Sequence, residues 1–125
     1  MKRILVVDDD KNIRELIKEY LEQEGYYVVA ADSGWAANKA KKKDKFDLVL
    51  LDILMPGMDG RTTYMAMKFE DGEFVDAPPV LIITGYSDHR YTKQLLEREP
   101  GVKGILKKPF TLDELKEKVQ EILGD

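Results

Sequence analysis

Apolar residues gather in three short, unbroken runs, Ile4-Leu5-Val6-Val7, Leu48-Val49-Leu50-Leu51 and Val80-Leu81-Ile82-Ile83. Continuous rather than alternating apolar character predicts strands covered on both faces, as in a parallel sheet. Two weaker runs, Tyr27–Ala31 and Val102–Leu106, carry mixed polarity and read as edge strands. Between the runs the period changes to that of a helix. Ile13, Leu16, Ile17, Tyr20 and Leu21 recur on one face and Gly25 supplies a stop. Helical patterns also cover Gly34 to Lys43, Arg61 to Phe69 and Asp88 to Glu99. A last helix follows the capping sequence Thr111-Leu112-Asp113-Glu114, with an apolar stripe of Leu112, Leu115, Val119, Ile122 and Leu123. Regular alternation of strand and helix implies an α/β fold around a parallel sheet. The stretch from Glu70 to Pro79 reads as an acidic, irregular loop, and no linker or repeat interrupts residues 1–125, so one domain is expected.

Composition narrows the class without changing that picture. The chain has 125 residues, 43% hydrophobic and 35% charged, enough for a core of its own. It contains no cysteine, which excludes disulfides and thiolate metal sites and suits a cytoplasmic setting. Met1-Lys2-Arg3 before Ile4–Val7 is too short an apolar segment for an export signal, and no membrane association is expected. A net charge of −4 disfavours direct nucleic-acid binding. The basic run Lys39, Lys41, Lys42, Lys43 and Lys45 reads as a solvated helix face, and His89 as a surface residue. Trp35 receives no role.

Ligands of open parallel sheets bind beyond the carboxyl ends of the strands. Asp8 and Asp9 follow the first run, Asp52 the second, Thr84 the third, and Lys107-Lys108 the last. Three converging carboxylates repel one another unless a cation intervenes, and an all-oxygen ligand set suits Mg²⁺. An aspartate can attack phosphorus as a nucleophile while a cation, an ammonium and a hydroxyl stabilise the transferring oxygens. Asp10 reads as the cap of the first helix. For Asp52, closing an apolar strand with an unpaired carboxylate is costly, which favours a functional reading over a turn residue.

Four ordered segments, Val6-Val7-Asp8-Asp9, Leu50 to Gly60 around Asp52 and Pro56, Ile82-Ile83-Thr84-Gly85 and Lys107-Lys108-Pro109-Phe110, resemble bacterial response-regulator receivers, including the single-domain chemotaxis and sporulation-relay types. The resemblance implies a flavodoxin-like doubly wound sheet of five parallel strands in the order 2-1-3-4-5, with five helices. It implies a phosphoacceptor at Asp52 and a Mg²⁺ site formed by Asp8, Asp9, Asp52 and the Leu54 backbone carbonyl, with Asp9 the direct ligand of the first pair. Thr84 and Lys108 would contact the phosphoryl group, Lys107 would stay outside, and the Lys108-Pro109 peptide would be cis. The implied partners are a sensor histidine kinase or histidine phosphotransfer protein upstream, and a protein effector or fused output domain downstream.

Two departures bear on signalling. Ile105 occupies a position that in many receivers holds an aromatic side chain. Leu54 and Tyr86 put bulk near the approach of a hydrolytic water, which predicts a slowly hydrolysing phosphoaspartate. The third helix, with Arg61-Thr62-Thr63-Tyr64, is also less aliphatic than the resemblance suggests. Two other classes compete. In a haloacid-dehalogenase-like phosphatase Asp8 would be the nucleophile, but Asp52 would have no task. A receiver-like interaction module that no longer takes phosphate would have no reason to keep the acidic set with Thr84 and Lys108.

Overall fold

The computed structural model describes residues 1–53, 60–70, 73–85, 94 and 98–125. The elements are β1 (Arg3–Val7), α1 (Lys11–Gln23), β2 (Tyr27–Ala31), α2 (Gly34–Lys43), β3 (Leu48–Asp52), α3 (Gly60–Met67), β4 (Phe69–Glu70), β5 (Glu73–Phe74), β6 (Val80–Thr84), β7 (Val102–Lys107) and α4 (Leu112–Leu123). Five strands form one parallel sheet in the order β2-β1-β3-β6-β7, the expected doubly wound arrangement with β2 and β7 at the edges. Of the five helices expected, four are described. The pattern from Asp88 to Glu99 falls almost wholly outside the described residues, although Gln94 and Arg98 are helical.

The unbroken apolar runs became the three central strands because both faces of the sheet are covered. Alternate residues enter two cores. Leu5, Val7, Val49, Leu51 and Ile82 face Ala37 of α2 and Tyr64 and Met67 of α3. Ile4, Val6, Leu48, Leu50 and Ile83 face Ile17 and Leu21 of α1 and Leu115 and Val119 of α4. Each fully buried aliphatic side chain contributes about 1.5–3 kcal/mol relative to exposure. Helix ends follow the sequence signals. Asp10 caps α1 by accepting from the Asn12 and Ile13 amides at 2.9 and 3.2 Å. Gly25 takes a left-handed φ of 97° just past it, where a side chain would be strained. Thr111 and Glu114 close the capping box of α4.

The stretch expected as an irregular loop departs from expectation. Phe69–Glu70 and Glu73–Phe74 pair antiparallel as β4 and β5, so α3 ends at Met67 rather than reaching Phe69. The overlooked signal is Asp71-Gly72 between Phe-Glu and Glu-Phe, a spacing typical of two-residue hairpins. A second irregularity lies at the start of β7. Val80 pairs with Val102 but Leu81 pairs with Gly104, so β7 carries one extra residue there. Because side chains alternate along a strand, this bulge reverses the faces of everything downstream. Val102 and Ile105 therefore both reach the α2–α3 core, and Leu106 reaches the α1–α4 core.

The polar third helix packs its hydroxyls inward. Thr63 and Tyr64 are buried, and neither hydroxyl reaches good hydrogen-bond geometry with a partner among the described residues, although Lys68 and the Gly101 backbone lie close to that of Tyr64. The Tyr64 hydroxyl lies where a side chain at position 101 would begin, since a Cβ on Gly101 would stand 2.6 Å from it. The Lys68 ammonium sits 5.0 Å from the Tyr64 ring centroid and pairs with Glu99 at 2.7 Å. Burial pushes the Tyr64 phenol up, against the opposing pull of Lys68. A buried hydroxyl without a partner costs about 1–3 kcal/mol. Tyr64→Phe should therefore raise the urea midpoint, by about 1 kcal/mol of stability. Gly101→Ala should lower it by about 1–3 kcal/mol through overpacking, and Tyr64→Phe should recover part of that loss. A lower midpoint for Tyr64→Phe alone would show that the hydroxyl is satisfied in solution.

Candidate functional site

Strand register brings four distant segments to one end of the sheet. Pairing of β1 with β2 continues one residue past Val7, with the Asp8 amide donating to the Ala31 carbonyl at 3.2 Å, so Asp8 is held as firmly as the strand itself. Its side chain is wholly buried. Asp52 is the last residue of β3 and pairs with Ile83, which puts it beside Thr84 at the end of β6. Thr84 pairs with Lys107, and the Lys108 amide then donates to the Thr84 carbonyl at 2.8 Å. The bulge at the start of β7 thus sets which of the two lysines reaches inward. Lys107 is exposed, while Lys108 extends to the carboxylates. The Lys108-Pro109 peptide is cis, as the resemblance implied.

One oxygen from each of Asp8, Asp9 and Asp52 lies within 4.8 Å of the others. Lys108 Nζ donates to Asp8 Oδ2 at 3.1 Å and to Asp52 Oδ2 at 3.4 Å. Asp8 Oδ1 also accepts from the Asp10 amide at 2.9 Å, whereas the Asp9 side chain is exposed. Among the described residues, three carboxylates face the one ammonium of Lys108, an excess of negative charge in a largely buried site. Thr84 is 1% exposed, and its hydroxyl donates to the Gly85 carbonyl at 3.1 Å. Of the residues singled out from sequence, Asp8, Asp9, Asp52 and Lys108 are thus gathered, with Thr84 on the neighbouring strand. Leu54, Tyr86 and His89 lie outside the described residues. Trp35 is 60% exposed at the start of α2.

Arg14 was not anticipated. Its Nη1 donates to the Asp8 carbonyl at 2.9 Å, tying the first turn of α1 to the β1–α1 connection. The available signal was its place four residues after the Asp10 cap, which turns its side chain back over that connection.

The model of the response regulator receiver domain matches residues 4–120. The chain belongs to this family. Similar proteins include the sporulation initiation phosphotransferase F of Bacillus subtilis, 35% identical over 98% of this chain and 94% of that protein. Another is the transcriptional regulatory protein CrdR of Helicobacter pylori, 33% identical over 99% of this chain and 56% of that protein. A CheY-like receiver domain protein from Methanospirillum hungatei superposes with a TM-score of 0.81 at 31% identity, covering 98% of this chain and 94% of that one. The receiver thus spans nearly all of some relatives and about half of others, and only 13% of the sensor histidine kinase GacS of Pseudomonas protegens. It is a signalling domain of two-component systems. With Asp52 gathered beside Asp8 and Asp9, the phosphatase alternative loses its footing, since that alternative left Asp52 without a task. No described helix is long and apolar enough to cross a membrane.

Burial pulls the Lys108 ammonium down, but its hydrogen bond to Asp8 and the charges of Asp52 and Asp8 outweigh that effect and hold its pKa above the ordinary lysine value. A group raised in the folded state contributes fully below its unfolded value, about 10.4, and the contribution is lost as pH rises through the folded value. Lys108→Met should cost about 1–3 kcal/mol at neutral pH, by leaving buried Asp8 unpaired. The gap between wild type and Lys108→Met should then close above pH of about 10.4. Urea unfolding at a series of pH values checks this, and a gap that stays constant would assign the cost to packing rather than charge.

Proposed function

We propose that Asp52 accepts a phosphoryl group from a histidine kinase or histidine phosphotransfer protein, in a reaction that requires Mg²⁺. The observation that carries this reading is the meeting of Asp52 with Asp8, Asp9 and Lys108 at the carboxyl end of the sheet. Three carboxylates whose oxygens fall within 4.8 Å form an all-oxygen donor set of the kind Mg²⁺ takes, and they repel one another without a cation. Asp8, Asp9, Asp52 and the Leu54 carbonyl would hold the ion, with Asp9 the direct ligand of the first pair. Bound there, Mg²⁺ would neutralise charge on the transferring phosphoryl oxygens.

In the transfer, a carboxylate oxygen of Asp52 forms the new bond to phosphorus as the bond from phosphorus to the donor histidine nitrogen breaks. The bonding pair stays on the donor nitrogen, and with a proton already on the other ring nitrogen the products are an acyl phosphate on Asp52 and a neutral histidine on the donor. Lys108, already within reach of Asp52, pairs with the phosphoryl oxygens. Thr84 turns its hydroxyl from the Gly85 carbonyl to a phosphoryl oxygen, exchanging one acceptor for a charged one. The phosphoryl group adds about −1.5 to −2 charges beside a lysine, enough to bias two packings of the adjoining elements. With Ile105 packed against the α2–α3 core in place of an aromatic ring, transmission through β7 runs through aliphatic packing. The output is contact with a protein effector or a fused output domain, in a cytoplasmic setting, without direct nucleic-acid or membrane contact.

Incubation with acetyl phosphate and Mg²⁺, followed by intact mass and peptide mapping, should find one phosphate on Asp52. None should appear in Asp52→Asn or with excess chelator. Steady phosphate release abolished by Asp8→Asn would overturn the proposal in favour of a phosphatase. Leu54→Asn and Tyr86→Ala should each shorten the lifetime of the phosphorylated form, and unchanged decay in both would remove the claim of slow hydrolysis.

A further inference from the structure

The hairpin and the basic run, neither used by the phosphoryl site, meet at the other end of the molecule. The last turn of α2 and the residues after it form one wall of a cleft of about 610 Å³, and Val75 to Pro78 form the other. The hairpin fixes the second wall, since the Val75 amide donates to the Lys68 carbonyl at 2.7 Å and continues its pairing. The back is closed by Lys41, whose ammonium donates to the Met67 carbonyl. The cleft precedes β3 and β6, whereas Asp52 and Thr84 end them. A strand of five residues, roughly 16 Å, separates the two sites.

Charge in the cleft is opposite to that of the chain as a whole. Asp44 is engaged by Arg3 at 2.9 Å. Lys42, Lys43 and Lys45 make no ion pair or hydrogen bond among the described residues, and of the lining carboxylates only Asp76 is left to oppose them. Interaction with the end of the helix accounts for lysines in its last turn but not for Lys45, nor for an apolar floor. That floor consists of Phe46, Val75, Ala77 and Pro78, with Ala77 resting on the core. Ammonium groups around an apolar floor suit a chain that alternates carboxylates with apolar side chains. A nucleic acid fits less well. Three lysines neutralise few phosphates, and a phosphate backbone offers no apolar side chains to the floor.

We propose that this cleft docks an acidic, partly apolar peptide segment of a partner protein, at a place separate from the phosphoryl pocket. A short fluorescein-labelled peptide alternating glutamate with leucine serves as the probe, read by anisotropy and by amide shifts of the receiver. Saturable binding that perturbs the amides of residues 42–46 and 75–78 is expected. It should weaken about tenfold in the triple variant Lys42→Glu, Lys43→Glu, Lys45→Glu and persist when the same three lysines become arginine. Lys45→Gln alone should weaken it about threefold and keeps the test decisive if the triple variant does not fold. Uptake of phosphate on Asp52 should be unchanged in Lys45→Gln, which separates this inference from the phosphoacceptor reading. Absence of saturable binding, perturbation confined to other surfaces, tighter binding of a single-stranded oligonucleotide, or a self-association lost in the triple variant would each overturn the proposal.

Discussion

Mutual repulsion among Asp8, Asp9 and Asp52, restrained by Lys108, is the constraint around which the carboxyl end of the sheet is organised. Asp52 ends β3 and Asp8 directly follows β1, its neighbour in the sheet, and both are buried, so the pairing of β1 with β3 keeps their backbones from moving apart. Such an arrangement costs stability and persists because the rest of the fold over-determines it. The supporting parts are visible. Asp8 is held by the Ala31 carbonyl, the Asp10 amide and Arg14, and Lys108 by the Thr84 carbonyl and the register of β7.

Much of this was legible in the sequence, for reasons that differ from element to element. The central strands announced themselves because burial on both faces requires unbroken apolar runs, and α4 because its capping box and stripe are local signals. The strand-end residues were legible as a group because a parallel sheet sends every strand's carboxyl end the same way. The strand order was not, since alternation of elements is compatible with several windings; it came from the resemblance and the register bears it out. The β4–β5 hairpin was missed because its strands are two residues each, too short for periodicity to register, and only the Asp71-Gly72 dipeptide marks it. The bulge in β7 has a local mark, Gly104 inside the strand directly after it, but a glycine there is equally an ordinary strand weakening, so the register that brings Lys108 inward was not legible.

Thr63 and Tyr64 bring buried hydroxyls to the inner side of α3, and the Tyr64 hydroxyl leaves no room for a side chain at position 101 without a shift. Ile105 reaches the core beside them by virtue of the bulge. The hairpin makes the lysine run one wall of a cleft, which composition alone does not foretell.

If repulsion among the carboxylates governs the site, relieving it should stabilise the protein by either of two routes that do not add. Urea unfolding with and without Mg²⁺, in wild type and in Asp9→Asn, measures this directly. Asp9 is the exposed member of the set, so its replacement removes charge with little loss of packing. The account predicts a higher midpoint for Asp9→Asn than for wild type in chelator, and a rise on adding Mg²⁺ in wild type that is largely absent in Asp9→Asn. A midpoint for Asp9→Asn below that of wild type in chelator, or an equal response of both proteins to Mg²⁺, would contradict it.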